Sequence, residues 1–330
     1  MTNTCIGCDD GYAAIKLAWF TPDMKIETLA IPSRAQPGLS MSNLDGDVQN
    51  AYESCGERFT VGSRVKPADT RFKDYPVSAL NRALIHHSLK IAGMGGRDIS
   101  LATGLPYEQF VRDKQNGSKL INAKRDSLTK PVTSIAGETL ANIKKSLVFG
   151  EATSALIDYI IAEDGSERFE GGLQGAVGIV DIGGRTTDCV CVIEGGKNLD
   201  QSRSGTEQVG VLDVVSKMSE SICEALDLDD LGSYDTDEIL QTRTIKVFGK
   251  PQDVSAHVDA AIHEVGMQVI SLVQARFGQA ADMDAVLFVG GGAELMKSVV
   301  KQYPNAHVPE HPQFANARGM LKYMLLLEQE

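Results

Sequence analysis

The sequence has few basic residues for its length and lacks long apolar runs. It carries 32 Lys and Arg against 44 Asp and Glu in 330 residues, so its net charge is −12 at pH 7. Such an acidic chain is unsuited to broad contact with nucleic-acid phosphates, and we expect any DNA association to go through a basic partner. No stretch approaches the ~18 apolar residues of a membrane span. The N-terminus also lacks the charged-then-apolar pattern of a signal segment. We therefore expect a cytoplasmic protein that does not contact membranes.

Cysteine is scarce, and its spacing argues against a structural metal site. The chain has six cysteines. Cys5 and Cys8, three apart on a predicted strand, would point to opposite faces. Cys189 and Cys191 share a face, but no second pair is spaced for tetrahedral zinc. We interpret the cysteines as small, buried, apolar side chains.

The remaining composition is that of an ordinary globular protein. Hydrophobic residues make up 42% and charged residues 23% of the chain, as is typical of soluble domains. A chain of 330 residues can bury a large core and suits two domains.

The most informative stretch lies in the middle of the chain. An apolar run, Ala176–Val180, is followed by Asp181, by Gly183 and Gly184, and by a second apolar run, Cys189–Ile193. This pattern predicts a strand, a tight glycine turn and a returning strand. The glycines let the backbone approach a ligand and aim its N–H groups at it. Asp181 could then hold a metal-bound water or orient an attacking one, although an ordinary hairpin with an acidic turn fits equally well.

The same pattern occurs near the N-terminus, within Thr4–Trp19. There, Asp9 and Asp10 end a predicted strand, Gly11 starts the turn, and an apolar strand returns. Lys16 follows Asp9 by seven residues, and this spacing does not decide which face of the strand it takes. It is either a surface lysine or a cation beside a bound phosphate.

A third glycine element comes late in the sequence. The apolar run Ala285–Val289 leads into Gly290, Gly291 and Gly292, and a helix is predicted to follow. Glu294 lies in the first turn of that helix. The helix dipole alone would favour an acid there, and contact with a ligand is the alternative.

Two acid–glycine hairpins, one in each half, with a late strand–glycine–helix element, resemble the actin/Hsp70/sugar-kinase ATPase superfamily. The segment Gly104-Leu105-Pro106 with Tyr107 and Phe110, followed by a basic run, narrows the resemblance to the ParM/StbA family of plasmid-segregation actins. The resemblance implies an α/β actin-like ATPase fold, with two related domains flanking a nucleotide cleft, each with a mixed sheet and helices. It further implies that residues 1–165 form domain I, with a small inserted subdomain at about 21–75. Residues 166–303 would form domain II, and residues 304–330 a helix that returns to domain I.

The resemblance also assigns site residues and cofactors. ATP, with GTP as an alternative, and Mg²⁺ are the implied cofactors, with Asp9 and Asp181 at the metal. Glu151 and Asp181 are the implied catalytic pair, with Glu151 orienting the attacking water, although a carboxylate at a helix start could also be a structural cap. The implied cofactor-binding residues are Asp9, Asp10, Gly11, Tyr12, Lys16, Gly183, Gly184, Arg185, Thr186, Gly210, Gly290, Gly291, Gly292 and Glu294.

Two residues depart from the family pattern. Tyr12 stands where the first phosphate loop usually has Ser or Thr, so a hydroxyl contact to phosphate is replaced by backbone amides. Arg185 stands where the second loop usually has Thr. It either adds a cation near the γ-phosphate or points to solvent, and we favour solvent.

The implied function is an ATP-dependent filament that segregates plasmid DNA through a ParR-type adaptor bound to a centromere-like site. The partners are then other copies of the chain and the adaptor, with no direct nucleic-acid binding. The alternatives are a small-molecule kinase of the same superfamily and an MreB-like filament unrelated to plasmids.

Several elements outside the glycine motifs can also be predicted. Apolar periodicity predicts a helix at about Val254–Phe277. A last helix is expected at about Phe314–Leu327, and its small residues would permit close helix packing. A single helix is expected from Ala293 to about Gln302. The basic run Lys114–Arg125 is expected to be a solvated loop or a filament contact, and the acidic tract Asp227–Glu238 a loop.

Overall fold

A computed structural model of the chain shows a mixed α/β arrangement around two five-stranded sheets. The structure describes residues 4–40, 49–62, 65, 68–169, 173–231 and 234–329. Of the expected inserted segment 21–75, residues 41–48, 63, 64, 66 and 67 thus lie outside the described part. The strands are β1 Thr4–Asp10, β2 Ala14–Phe20, β3 Ile26–Pro32, β4 Ala35–Pro37, β5 Ala51–Ser54, β6 Glu57–Val61, β7 Asp98–Leu105, β8 Thr133–Ser134, β9 Asn142–Gly150, β10 Ala176–Ile182, β11 Thr187–Ile193, β12 Asn198–Glu207, β13 Thr244–Val247, β14 Lys250–Asp253, β15 Met283–Val289 and β16 Ala306–His307.

Helices surround these sheets and connect their strands. They are α1 Ala79–Ile91, α2 Tyr107–Gln115, α3 Lys119–Leu128, α4 Thr153–Ile160, α5 Val211–Leu226, α6 Thr236–Thr242, α7 Ser255–Phe277, α8 Gly292–Leu295, α9 Lys297–Val300 and α10 Ala315–Gln329. Short 3-10 turns lie at Tyr75–Val77 and Pro312–Phe314. In the described part of the chain, no helix is both long and apolar enough to cross a membrane.

The two large sheets repeat one topology. Their strand orders are β3-β2-β1-β7-β9 and β12-β11-β10-β15-β16. In each sheet an antiparallel hairpin pairs with a third antiparallel strand on one side and with parallel strands on the other. The duplicated acid–glycine pattern therefore marks two equivalent hairpins, β1–β2 and β10–β11. A four-stranded sheet, β4-β6-β5-β8, and the β13–β14 hairpin complete the strands.

Both faces of the second large sheet are buried, because side chains alternate along its central strand. On β10, Val180 and Ile182 pack in a core that includes α5 and α7. Val177 and Ile179 pack on the opposite side, in a core that includes α4. The predicted buried strand is thus confirmed, and its carboxyl end carries Asp181 to the edge of the sheet.

Five of the six cysteines are buried or partly buried, as expected, and none is in a disulfide. Cys8 and Cys5 belong to cores on opposite faces of the first sheet, as their spacing predicts. Cys189 and Cys191 share the core beneath α5 and α7. Cys55 differs, because it is exposed.

Helix α10 packs on β1, β2, β7 and α4, and its backbone closely approaches the backbones of β1 and α4. A Cβ at Gly7 of β1 would overlap the carbonyl oxygen of Ala317, and a Cβ at Gly319 would overlap that of Ser154. The prediction that small residues in this helix permit close packing is therefore confirmed. The close fit also fixes where the first residues of α10 point.

Three expectations for secondary structure were wrong. The basic run predicted as a loop is largely helical, in α2 and α3. The acidic tract contains the start of α6, where the Asp235 side chain accepts hydrogen bonds from the N–H groups of Asp237 and Glu238 and so caps the helix. The single helix expected from Ala293 is interrupted at Met296, whose side chain is fully buried and whose backbone is not helical. Tertiary packing there outweighs local helix propensity.

Candidate active site

The turns of the β1–β2 and β10–β11 hairpins face each other across a cleft. A Cβ at Gly184 would lie 2.6 Å from the Ala13 Cβ, so the two turns are in direct contact. A cavity of about 30 Å³ between them is lined by residues from both halves of the chain, including Asp9, Lys16 and Asp181. The structure therefore brings the two predicted motifs to one place.

Lys16 is a buried cation in this cleft. It lies directly opposite Asp9 in the hairpin register, and its Nζ is 2.9 Å from Asp9 Oδ2. Burial opposes its charge, but the carboxylates of Asp9, Asp181 and Glu151 outweigh that effect and raise the pKa of Lys16. Lys16 thus stays protonated, and of the two alternatives left by its spacing the surface lysine is wrong.

Asp10 is engaged within the first half of the chain. Its Oδ1 lies 2.9 Å from Lys124 Nζ, and its Oδ2 accepts a 2.9 Å hydrogen bond from Asn81 Nδ2. Lys124 also donates to the carbonyl oxygen of Gly104. These contacts tie the end of β1 to α1, α3 and β7. The predicted contact of Asp10 with a nucleotide stays a prediction.

Three carboxylates gather at the bottom of the cleft. Among the described residues, one ligand atom from each of Glu151, Asp181 and Asp188 lies within 4.8 Å of the other two. Asp181 is the penultimate residue of β10, Asp188 lies opposite it on β11, and Glu151 follows β9. Oxygen ligands at this spacing suit a hard divalent cation.

Burial, with the charge of neighbouring acids, raises the pKa of each of these carboxyls. Burial, followed by the charge of Asp9, raises the pKa of Asp181 to about 6. Burial raises the pKa of Asp188 to about 7, against a hydrogen bond from Thr206 that lowers it. Burial, together with the neighbouring acids, also raises the pKa of Glu151 well above its usual range. Perturbed acids in a cleft are typical of functional sites.

Asn316, near the start of α10, contacts both sides of this cluster. Its Nδ2 donates a 2.6 Å hydrogen bond to Asp181 Oδ2. Its Oδ1 accepts a 3.0 Å hydrogen bond from the N–H of Ala152. Ala152 has φ 61° and follows Glu151 in a tight turn closed by the 2.7 Å bond from the N–H of Thr153 to the Glu151 carbonyl.

The second hairpin is joined to the helix that follows it. The carbonyl oxygens of Gly183 and Gly184 accept hydrogen bonds of 3.0 and 2.8 Å from the first amides of α5, those of Val211 and Leu212. A Cβ at Gly210 would crowd the same carbonyls. The predicted residues Gly183, Gly184 and Gly210 therefore lie together, and close backbone packing explains the glycine at position 210.

The late glycines lie between the carboxylates and a larger cavity, which Gly291 lines. Gly290 has φ 82°, and a Cβ there would overlap Asp181 Oδ1. Gly291 borders open space and lines a cavity of about 390 Å³. That cavity shares Lys16, Gly183 and Gly184 with the smaller one. Helix α6 and its neighbours add Asp237, Leu240, Gln241, Leu295 and Gln313 to its lining.

Tyr12 and Arg185 meet across the cleft. The Arg185 guanidinium lies 5.2 Å from the centre of the Tyr12 ring, which also packs on Tyr75 at 5.1 Å. Arg185 is half-buried, so it does not simply point to solvent. Glu294 is exposed on α8, and its contact with a nucleotide stays a prediction.

Sequence reasoning missed four residues that form this site, namely Asn81, Lys124, Asp188 and Asn316. A signal existed for Asp188, because it follows Asp181 by seven residues, as Lys16 follows Asp9. The others come from distant parts of the chain. Asn316 is 135 positions from Asp181, and no local pattern marks it.

Two family models match the chain one after the other. Residues 4–160 match the model described as plasmid segregation protein ParM, N-terminal. Residues 179–302 match the archaeal actin homologue MreB-like, C-terminal. The chain is thus similar to ParM over its first half and to an MreB-like archaeal actin homologue over most of its second half. Each match contains one of the two glycine hairpins. No curated protein sequence matches the chain at a significant level.

Solved structures of actin-like proteins have the same fold over almost the whole chain. A 15-stranded ParM filament from Clostridium botulinum is 18% identical, with a TM-score of 0.75 and coverage of 99% of this chain and 100% of that one. The archaeal actin homologue Ta0583 in complex with ADP is 19% identical, with a TM-score of 0.74 and coverage of 98% and 99%. Bacillus thuringiensis ParM with ATP is 15% identical, with a TM-score of 0.67 and full coverage of both chains. The predicted actin-like fold is confirmed.

Proposed function

We propose that this actin-like protein binds ATP and Mg²⁺ in the cleft, hydrolyses the nucleotide and assembles into filaments. We further propose that the filaments segregate plasmid DNA through a ParR-type adaptor bound to a centromere-like site. The observation that carries the proposal is the meeting of Glu151 and Asp181 beside the two facing glycine hairpins, within 4.8 Å of each other and of Asp188.

The hairpins suit the phosphates of a nucleotide. Gly11 and Gly184 have no side chain to cover the backbone at those two positions, so a phosphate group can approach it there. Lys16 is a protonated cation that would offset the charge of the β- and γ-phosphates. Phosphoryl transfer depends mostly on such positioning and charge compensation.

Glu151 is the group that would take a proton from the attacking water. Burial, followed by the charge of Asp9, raises the pKa of Glu151, and a carboxylate with a raised pKa is a stronger base than an exposed one. Asp181 is the carboxylate opposite it and would hold the water or the metal from the second half of the chain.

The donor set fits Mg²⁺, a hard cation that takes carboxylate oxygens and keeps part of its water. Asp181 and Asp188 would hold it from the second hairpin. Asp9, the other expected ligand, uses Oδ2 for Lys16 and would offer Oδ1. When bound, the ion supplies positive charge that offsets the charge of the reacting phosphates.

The larger cavity suits the nucleoside. Its volume of about 390 Å³ is in the range of small-molecule sites. Gly291 leaves space at its wall, and Lys16, Gly183 and Gly184 connect it to the phosphate side. We propose ATP as the nucleotide, with GTP as the alternative to be tested beside it.

The family resemblance supports the proposals of filament formation, of an adaptor and of a cellular location. Similar folds include a ParM filament, so other copies of this chain are the first proposed partner. The net charge of −12 favours DNA contact through a basic adaptor. We also propose a cytoplasmic location and the domain division 1–165, 166–303 and 304–330, with an inserted subdomain near 21–75.

A filament unrelated to plasmids is the second candidate. The match of residues 179–302 to an archaeal MreB-like model favours it. Partition activity separates the two candidates: a plasmid-segregation system should reduce the loss of an unstable low-copy plasmid that carries this gene and its flanking region. An MreB-like filament should leave plasmid loss unchanged.

Right-angle light scattering combined with pelleting tests assembly. We expect wild-type protein to polymerise with Mg-ATP or a non-hydrolysable analogue and to pellet little with ADP; Mg-GTP is run in parallel. Absence of polymer with every nucleotide, together with ATP consumption only after a small metabolite is added, would replace the filament proposal with the kinase alternative.

A further inference from the structure

Asn316 has an unusual position for a residue of the C-terminal helix. It is 4% exposed, and its amide lies between a carboxylate of the second sheet and a backbone turn that follows the first sheet. The partners are Asp181, at the end of β10, and Ala152, directly after Glu151. The Asn316 side chain thus contacts one proposed catalytic carboxylate, Asp181, and the backbone next to the other, Glu151.

The chemistry of the two partners fixes the orientation of this amide. Asp181 can only accept when it is ionised, and the N–H of Ala152 can only donate. A flipped amide would place its oxygen against the carboxylate and its NH₂ against the N–H of Ala152. Only the observed orientation satisfies both partners.

The turn at Ala152 needs such a partner. Ala152 is fully buried and has φ 61° and ψ −50°, a conformation that L residues rarely adopt and that persists when the surroundings determine it. Its N–H points to Asn316. Because Glu151 is the preceding residue, the geometry of this turn sets where the Glu151 carboxylate lies.

We infer that Asn316 is a positioning residue for hydrolysis, which holds Glu151 and Asp181 at a fixed separation by contacting the Ala152 N–H and the Asp181 carboxylate together. This inference rests on the proposed ATPase function. It also gives α10 a role in that function, since the packing of Gly319 on α4 and of Ala317 on Gly7 determines where Asn316 reaches.

The test compares Asn316→Ala with a control on the same helix. Arg318 also joins α10 to α4, through bonds of 2.9 and 2.6 Å to Asp158 Oδ2, and it has no contact with the proposed catalytic carboxylates among those described. Arg318→Ala therefore weakens the docking of α10 but leaves the Asn316 contacts in place.

Steady-state ATP hydrolysis and Mg-ATP affinity are measured for wild type and both variants, with thermal unfolding as the check on folding. We expect Asn316→Ala to lower kcat on the order of 10²-fold, the effect of a misplaced reacting group, with KM and nucleotide affinity within about threefold of wild type. We expect Arg318→Ala to keep kcat within about threefold at a similar or lower Tm.

Asn316→Asp provides a second, isosteric variant. It keeps an acceptor for the N–H of Ala152 but cannot donate to Asp181 when ionised, so we expect it to lose kcat as well. Wild-type kcat in Asn316→Ala, or an equal loss in Arg318→Ala, would show that Asn316 serves only the docking of α10. Those results overturn this inference alone, whereas a wild type that hydrolyses no nucleotide overturns the proposed function itself.

Discussion

At the scale of single residues, the buried ion pair between Lys124 of α3 and Asp10 of β1 holds the first hairpin against α3. Their side chains are 2% and 0% exposed. We predict that Lys124→Met lowers the free energy of unfolding by about 3–5 kcal/mol, because Asp10 would be left as an unpaired buried charge. Urea unfolding at pH 7.5 measures the change.

The control for this prediction is an ion pair in solvent. Arg58 and Glu53 lie 2.9 Å apart with side chains 54% and 34% exposed. Arg58→Ala should cost no more than about 1 kcal/mol. A loss below about 1 kcal/mol in Lys124→Met as well would show that Asp10 finds another partner and that the pair is not structural.

Residues with a local signature could be predicted, and residues brought together by the fold could not. Asp9 and Asp181 stand at the ends of predicted strands, whereas the spacing of Lys16 left its position open, and the structure places all three in the cleft. Lys124 and Asn316 reach the site from helices. Their contacts depend on how α3 and α10 pack on the sheets, which no nearby residue encodes.

At the scale of elements, the seating of α10 depends on a glycine. A Cβ at Gly319 would overlap the carbonyl oxygen of Ser154 in α4. We predict that Gly319→Ala lowers the free energy of unfolding by about 1–3 kcal/mol, as expected for overpacking. It should also slow hydrolysis, since α10 carries Asn316.

Gly266, in the middle of α7, is the matched control. A Cβ there would meet only Ser298 Oγ, at 3.7 Å, an ordinary contact. Gly266→Ala should therefore stabilise the protein by up to about 1 kcal/mol, since alanine favours the helix. If both substitutions change stability in the same direction, close packing of α10 is not the cause.

Helix α1 carries two buried histidines that should make the protein sensitive to acid. Burial, with Arg82 nearby, lowers the pKa of His86 to about 4. Burial and Lys90 lower the pKa of His87 to about 4, against Glu138, which raises it. An unfolded histidine has a pKa near 6.5, so the unfolded state binds more protons below that pH and stability falls as the pH is lowered towards 4.

Between pH 7.5 and 5.5 we predict a loss of about 1 kcal/mol per buried histidine. The measurement is urea unfolding at both pH values for wild type, for His86→Leu and for His263→Leu, in which an exposed histidine of α7 is replaced. The buried acids, whose pKa values are raised, contribute stability that increases as the pH falls. This contribution is the same in all three proteins, so it cancels when the pH dependence of each variant is compared with that of wild type. An unchanged pH dependence in His86→Leu contradicts the prediction.

Elements with strong apolar periodicity could be predicted, and elements determined by capping or packing could not. The long helix expected at Val254–Phe277 is α7, which begins one residue later and ends at the expected residue. Helix α6 was not predicted, because its first turn is acidic and it has few apolar residues. The Asp235 cap was the readable signal there. The break at Met296 reflects burial of that side chain, which local sequence does not report.

At the scale of the whole molecule, two related halves with mixed sheets were implied by the family resemblance, and only their hairpins could be predicted from the residues. The arrangement of the two halves could not, because it depends on contacts such as those between Gly184 and Ala13 and between Arg185 and Tyr12. These contacts join the hairpins across the cleft. We expect a nucleotide bound there to control how the halves close and so to control assembly.

We propose that hydrolysis through Glu151 limits the lifetime of an ATP-dependent filament. The most direct measurement is the time course of light scattering after addition of limiting Mg-ATP to wild type and to Glu151→Ala, with pelleted protein and released phosphate followed in parallel. We predict that scattering by wild type rises and then declines as phosphate is released, whereas Glu151→Ala rises equally and stays assembled. A Glu151→Ala variant that disassembles and releases phosphate at the wild-type rate would contradict the proposed role of Glu151.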